Sequence, residues 1–212
     1  MTKDIHKWDP LSVDEVTDLL SHVRLPWWIA GGWAIDLFLG RQTRSHGDID
    51  VLIRRDDQLE VQKYLADRGW DLYKTQQPGL KPWPPEEFQK QPVNDIWCRH
   101  APQLPWALQI MLLDTDGEQW VFKRDTSIRG PIDSLGFQTI AGVSYLRPEI
   151  QLLYKAKPET MAKDQADFDL TVAQLPCDSQ AWLLDRLEKR FSKGHVWITS
   201  LRKEMAQSDR GE

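Results

Sequence analysis

The chain has 212 residues, 41% apolar and 28% charged, with a net charge of −5. That length supports one large domain or two small ones with a sizeable core. The acidic balance speaks against a non-specific nucleic-acid binder, which needs a basic face, so no nucleic-acid polymer is expected as a partner. The two cysteines, Cys98 and Cys177, are far apart and unpatterned. They fit a reducing compartment and support neither a disulfide framework nor a zinc site. No apolar run approaches the roughly eighteen residues of a membrane span, and the opening "MTKDIHKWDPLS" is too polar for a signal peptide. A cytoplasmic protein with no membrane association is expected.

Residues 12–23, "SVDEVTDLLSHV", read as a helix. Ser12 and Glu15 form a capping box, and Val16, Leu19, Leu20 and Val23 make an apolar stripe that Pro26 ends. "WWIA" at 27–30 reads as a short buried strand, followed by a helix at 33–39 with Gly40 as its C-terminal cap. "DIDVLI" at 48–53 is a second strand. Residues 57–68 form a helix with Leu59, Val61, Tyr64 and Leu65 inward. Short strands are expected at 70–74, 95–99, 107–113 and 119–123. The proline-rich "QQPGLKPWPPEEFQKQP" between them reads as a long surface loop. From Pro148 on, four helical segments follow. The chain therefore divides into an α/β part, 1–146, and a helical C-terminal part, 147–212.

Two local features carry chemistry. A strand ends at Ala30, Gly31 and Gly32 turn the chain, and a helix begins. Backbone N–H groups and a helix N-terminus then face one point, which suits phosphate. In "GDIDVLI", Asp48 and Asp50 sit on alternate strand positions and share a face. Two carboxylates side by side repel, and burying both without a cation is costly. Magnesium removes that cost and binds through one or two carboxylates plus substrate phosphates. Each feature alone also has a bland reading, a tight turn or a solvated strand end. Together they set a phosphate cradle beside a metal site. Eleven tryptophans run through the chain, and Trp27, Trp28 and Trp33 flanking the glycines are expected to fill the core.

The string "IAGGWAIDLFLGRQTRSHGDIDVLI" resembles the signature of the nucleotidyltransferase superfamily, with its polymerase-beta-like fold. It is most similar to the branch of aminoglycoside 2''-adenylyltransferases and lincosamide nucleotidyltransferases. The resemblance continues more weakly through "LLD" at 112–114 and "PEIQLLYKAK…KDQADFD" at 148–169, and lapses between about 70 and 106. It implies an α+β fold with a mixed sheet and helices, 1–146 being the catalytic domain. It implies that Gly31 and Gly32 hold a nucleotide triphosphate, ATP, and that Asp48 and Asp50 hold magnesium. It also implies cationic phosphate ligands, with Arg44 preferred over Arg41 and His46 among the turn residues, and Lys163 in "KDQADF". The third carboxylate, metal ligand or base, is expected at Asp114. Gln109 stands mid-strand where other branches carry an acid or histidine, and a glutamine is no general base.

The expected function is transfer of AMP from Mg-ATP to a hydroxyl of a small molecule, an aminoglycoside-like antibiotic being the acceptor that the branch implies. The alternative is a catalytically silent nucleotide-binding or antitoxin-like module that lost its base.

Overall fold

A computed structural model describes residues 6–208. In chain order it contains α1 (Val13–Leu20), β1 (Trp27–Ala30), α2 (Gly31–Leu39), β2 (Asp50–Arg54), α3 (Gln58–Ala66), β3 (Asp71–Gln76), β4 (Gly79–Pro82), β5 (Asp95–Arg99) and β6 (Leu108–Asp116). Then come β7 (Gln119–Val121), β8 (Arg129–Pro131), β9 (Gly136–Gln138), β10 (Ser144–Leu146), α4 (Pro148–Lys155), α5 (Ala162–Val172), α6 (Cys177–Arg190) and α7 (Val196–Ser208). The sheet order is β4-β3-β5-β6-β2-β1-β10-β9, with β7 and β8 extending from β6. It is mixed: β2 runs parallel to β6 and antiparallel to β1, and β5 runs antiparallel to β6. The α+β expectation holds.

The capping box forms as the sequence suggests. Ser12 Oγ accepts from the Glu15 N–H, and the Glu15 carboxylate accepts from the Ser12 N–H at 2.7 Å. Two details differ. The second helix begins on Gly31 rather than at 33, because Gly31 adopts φ +68° and turns the chain straight out of β1 into α2. The proline-rich stretch contains β4, which pairs with β3 from Gln76–Gly79 to Tyr73–Pro82. Its proline is tolerated because β4 is an edge strand, where a missing N–H costs no ladder bond. Strands β8 to β10, three residues each, are too short to show alternation and went unforeseen.

The change of element type near residue 147 does not separate two cores. One apolar cluster contains Ile29, Ala34 and Val51 together with Ile150, Leu153, Phe168, Leu183 and Trp197. Helix α4 is buried along almost its whole length, against α2, α5 and α6. Phe168 stacks on Trp197 at 4.4 Å, joining α5 to α7. No helix among the described residues is long and apolar enough to cross a membrane.

Ser12→Ala removes one acceptor of the reciprocal cap. It should lower unfolding stability by about 1 kcal/mol in urea titrations, with an unchanged denaturant slope.

Candidate active site

Strand register gathers the acidic groups. Ala30 faces Asp50 across β1 and β2, Asp50 faces Gln109 across β2 and β6, and Gln109 faces Trp97 across β6 and β5. Asp95 lies two positions before Trp97, on the same face of β5. Asp48, Asp50 and Asp95 therefore meet at one end of three neighbouring strands. Gln109 Nε2 donates to Asp95 Oδ1 at 3.2 Å, which orients that carboxylate. All three acids line a cleft of about 460 Å³ with Gly31, Gly32, Arg44, Lys155, Lys157 and Lys163.

Burial, reinforced by Asp48 and then Asp95, pushes the Asp50 carboxyl up to about 7. Lys155 and Lys163 offset this in part. Such an acid has too few cations around it. Among the described residues, no three carboxylate, histidine or cysteine side chains converge to hold a metal by themselves. An oxygen-only pair on a phosphate-sized cleft is nevertheless what magnesium uses, since it takes one or two carboxylates and completes its shell with phosphate and water. The residues present fit that ion, and Asp48 and Asp50 are the pair that would hold it.

The glycines are explained by close approach. A Cβ on Gly31 would lie 2.3 Å from Asp50 Oδ2, and one on Gly32 would lie 2.5 Å from Arg44 Nη2 and from the His46 ring. The Gly31 N–H is already taken by Gln151 Oε1 of α4, at 2.8 Å. Gly31 thus shapes the cleft floor and seats Asp50, while its own amide serves α4.

Arg44, His46 and Lys163 part company. Arg44 lines the cleft and grips Asp167 of α5 with two parallel bonds, each 3.0 Å. That hydrogen bond, before any other influence, raises the Arg44 pKa. Burial pushes Asp167 upward, but Arg44 and Lys155 outweigh it and hold its carboxyl below the usual range. Lys155 Nζ reaches Asp167 at 2.8 Å and Asp164 at 3.1 Å. His46 differs from its expected phosphate role, because its side chain is only 2% exposed and does not line the cleft. Its Nδ1 lies 3.0 Å from Arg44 Nη1. Arginine only donates, so Nδ1 accepts and Nε2–H donates to Asp36 Oδ2 at 2.5 Å. Its ring lies against Trp33, with centroids 4.5 Å apart. His46 props Arg44 from behind. Lys163 is exposed on the cleft rim.

Asp114 does not join the acidic group. It lies five residues past Gln109 on β6, about 16 Å along the strand, too far to share an ion with Asp50. Its Oδ1 accepts from Arg55 Nε at 2.5 Å, and its Oδ2 accepts from Gln91. Arg55, itself buried, also donates to Val93 O at 2.7 Å and to Asn94 Oδ1 at 2.7 Å. Asp114 is the counter-ion of an arginine that pins the proline-rich loop. The third carboxylate found beside Asp48 and Asp50 is Asp95. It opens a strand candidate as Asp48 does, and that is its one sequence signal.

A family model for aminoglycoside-2''-adenylyltransferases matches residues 12–80. A lincosamide resistance protein of Staphylococcus haemolyticus is 26% identical over 110 residues, covering 52% of this chain and 65% of the relative. A 2''-aminoglycoside nucleotidyltransferase of Escherichia coli is 70% identical over 27 residues, 13% of this chain and 15% of that protein. The alignments thus span less than two thirds of these relatives. Among solved structures, the lincomycin-bound lincosamide adenylyltransferase LnuA superposes with a TM-score of 0.54 at 19% identity, covering 77% of this chain and 96% of the other. ANT(2'')-Ia in complex with adenylyl-2''-tobramycin gives 0.54 at 18%, covering 86% and 97%. The chain shares the fold of these two nucleotidyltransferases. Its resemblance to the aminoglycoside and lincosamide branch, first visible in residues 27–53, thus extends to the architecture of most of the chain.

Because Asp50 holds its proton more tightly in the fold than in the unfolded chain, its ionisation costs stability as pH rises from about 4 towards 7. Asp50→Asn should therefore stabilise the magnesium-free protein at pH 8, by on the order of 1–2 kcal/mol after allowance for solvent at the cleft. The gain should fade towards pH 4, as read by chemical unfolding at both pH values. Gly31→Ala should do the opposite at every pH. The positive φ alone costs roughly 1–3 kcal/mol, and Asp50 must also move.

Proposed function

We propose that this chain is a magnesium-dependent nucleotidyltransferase that moves AMP from ATP to a hydroxyl of a small, antibiotic-like molecule. The observation that carries this reading is that Asp48 and Asp50, at the start of β2, and Asp95, at the start of β5, line one cleft on either side of β6, with the Asp50 carboxyl raised to about 7 beside a cation-rich cleft wall. The fold shared with LnuA and ANT(2'')-Ia, both solved with antibiotic-derived ligands, supports it.

Asp48 and Asp50 would hold magnesium, whose charge neutralises the phosphates and the charge that develops on them. The triphosphate would lie along the wall of Lys155, Lys157 and Lys163, near the glycine floor. Lys155 has two of its three donors committed to Asp164 and Asp167, which leaves one directed donor for a phosphate oxygen. Arg44 has four of its five N–H donors engaged by Asp167, Ser45 and His46, so its part is chiefly to fix that wall. Asp95 is the general base. Its Oδ1 is held by Gln109 and its Oδ2 accepts the acceptor's hydroxyl proton. The hydroxyl oxygen attacks the α-phosphorus, the α–β bridging bond breaks, and pyrophosphate departs. Gln109, the reason to consider a silent module, becomes the residue that orients the base.

Three variants separate the roles. Asp50→Asn should abolish magnesium-dependent ATP binding in calorimetry. Asp95→Asn should keep that binding within about threefold and lower pyrophosphate release with an antibiotic acceptor by roughly 10²–10⁴-fold. Asp114→Asn should affect thermal stability but leave kcat within a few-fold. Full turnover by Asp95→Asn would overturn the base assignment, and unchanged ATP binding by Asp50→Asn would overturn the site.

A further inference from the structure

The acceptor end of the cleft has a wall that neither magnesium nor nucleotide explains. The segment ahead of α1 runs as a strand beside residues 106–107. Trp106 N–H donates to Lys7 O at 2.8 Å, Asp9 N–H to Trp106 O at 2.9 Å, and Leu11 N–H to Ala107 O at 2.9 Å. This pairing, with Trp8 bridged to Trp106, carries the Trp8 ring to the cleft, where it lines the same cavity as Asp95 and Met111. Trp8 is only partly buried. Behind it stands a rigid aromatic chain. Trp8 meets Trp97 edge-to-face at 4.8 Å, Trp97 meets Trp106 at 5.5 Å, and Trp106 meets Tyr73 at 5.2 Å. Arg99 caps the far end, 4.3 Å from the Trp106 ring.

An indole held this way, beside the carboxylate read above as the base, offers one flat apolar face. The charges around it are already spoken for. Of the five carboxylates that line the cleft, Asp114 is paired with Arg55 and Asp164 with Lys155, and Asp48 and Asp50 serve magnesium in the proposed reading. Asp95 is what remains. A polyamine would need several carboxylates and would meet Lys123, Arg124, Lys157 and Lys163, which line the same cleft. One carboxylate and one aromatic face suit a ring with an apolar side and at most one ammonium.

We propose that Trp8 is the acceptor-selecting side chain of this site, packing on the apolar face of a singly charged glycoside acceptor and excluding polyamino acceptors. This rests on the nucleotidyltransferase reading given above. The test titrates lincomycin, which carries one amine, and tobramycin, which carries several, onto the wild type, Trp8→Ala and Trp8→Phe by calorimetry, with Mg-ATP binding measured alongside. The expected result is lincomycin binding that weakens about tenfold in Trp8→Ala and is largely restored in Trp8→Phe. Tobramycin should bind the wild type more weakly than lincomycin, and Mg-ATP affinity should be alike in all three proteins. In turnover, the acceptor KM should rise in Trp8→Ala while the ATP KM stays. Lincomycin affinity unchanged in Trp8→Ala, tobramycin binding at least as tightly as lincomycin, or no binding of either overturns this inference. If Mg-ATP still binds, the nucleotidyltransferase reading survives that failure. Absence of Mg-ATP binding to the wild type overturns both.

Discussion

The structure depends on one buried charge relay. Asp36 of α2 accepts from Thr43 and from His46, His46 accepts from Arg44, Arg44 clasps Asp167 of α5, and Lys155 of α4 joins Asp167 to Asp164. Asp36, Asp164 and Asp167 are all buried. Buried ions are tolerable only when each is paired and hydrogen-bonded, and removing one leaves its partner as an uncompensated charge. The relay therefore locks three helices and the 41–47 turn into one arrangement. It also presents Lys155, and the rim near Lys163, to the cleft at fixed positions. The helical rear third is part of the site's frame.

The second constraint is steric. Asp50 and Arg44 approach the glycine pair so closely that a methyl group at either glycine would collide with them. The acidic pair, the arginine and the glycines must therefore occur together, within a short stretch of chain. That requirement explains why residues 27–53 read so clearly. Strand, glycines, helix, basic turn and acidic strand are all local, and each element is set against the next.

Other parts were legible only in outline. The capping box, β1, β5 and the four rear helices follow from caps, prolines and periodicity. Asp95 was hidden because its role comes from register, with β5 against β6 and β6 against β2, and register across some sixty residues of chain leaves no local pattern. Asp114 looked like the third acid because it ends the right strand. Its actual partner, Arg55, sits just past β2 and anchors the distant proline-rich loop, a pairing that shows only once the chain is folded. His46 looked like a phosphate ligand because it is basic and close to the acids, yet its neighbours Asp36 and Trp33 turn it inward. Proximity in sequence located the cleft and could not say which side of each residue faces it.

The two ends of the cleft are built differently, and that bears on how such a site changes its substrate. The phosphate end draws on tightly coupled elements: glycines without room for a Cβ, a buried ion relay, and carboxylates on central strands. Few substitutions there leave a working arrangement. The acceptor end is assembled from a strand-like N-terminal segment, an aromatic chain on β3, β5 and residue 106, and one carboxylate. The backbone at Trp8 is held through its neighbours Lys7 and Asp9, whose bonds to Trp106 do not depend on the side chain at position 8. Its side chain is free to vary without disturbing the metal or the phosphates. A fold arranged this way keeps its nucleotide chemistry constant while the acceptor face is redrawn, one exposed side chain at a time.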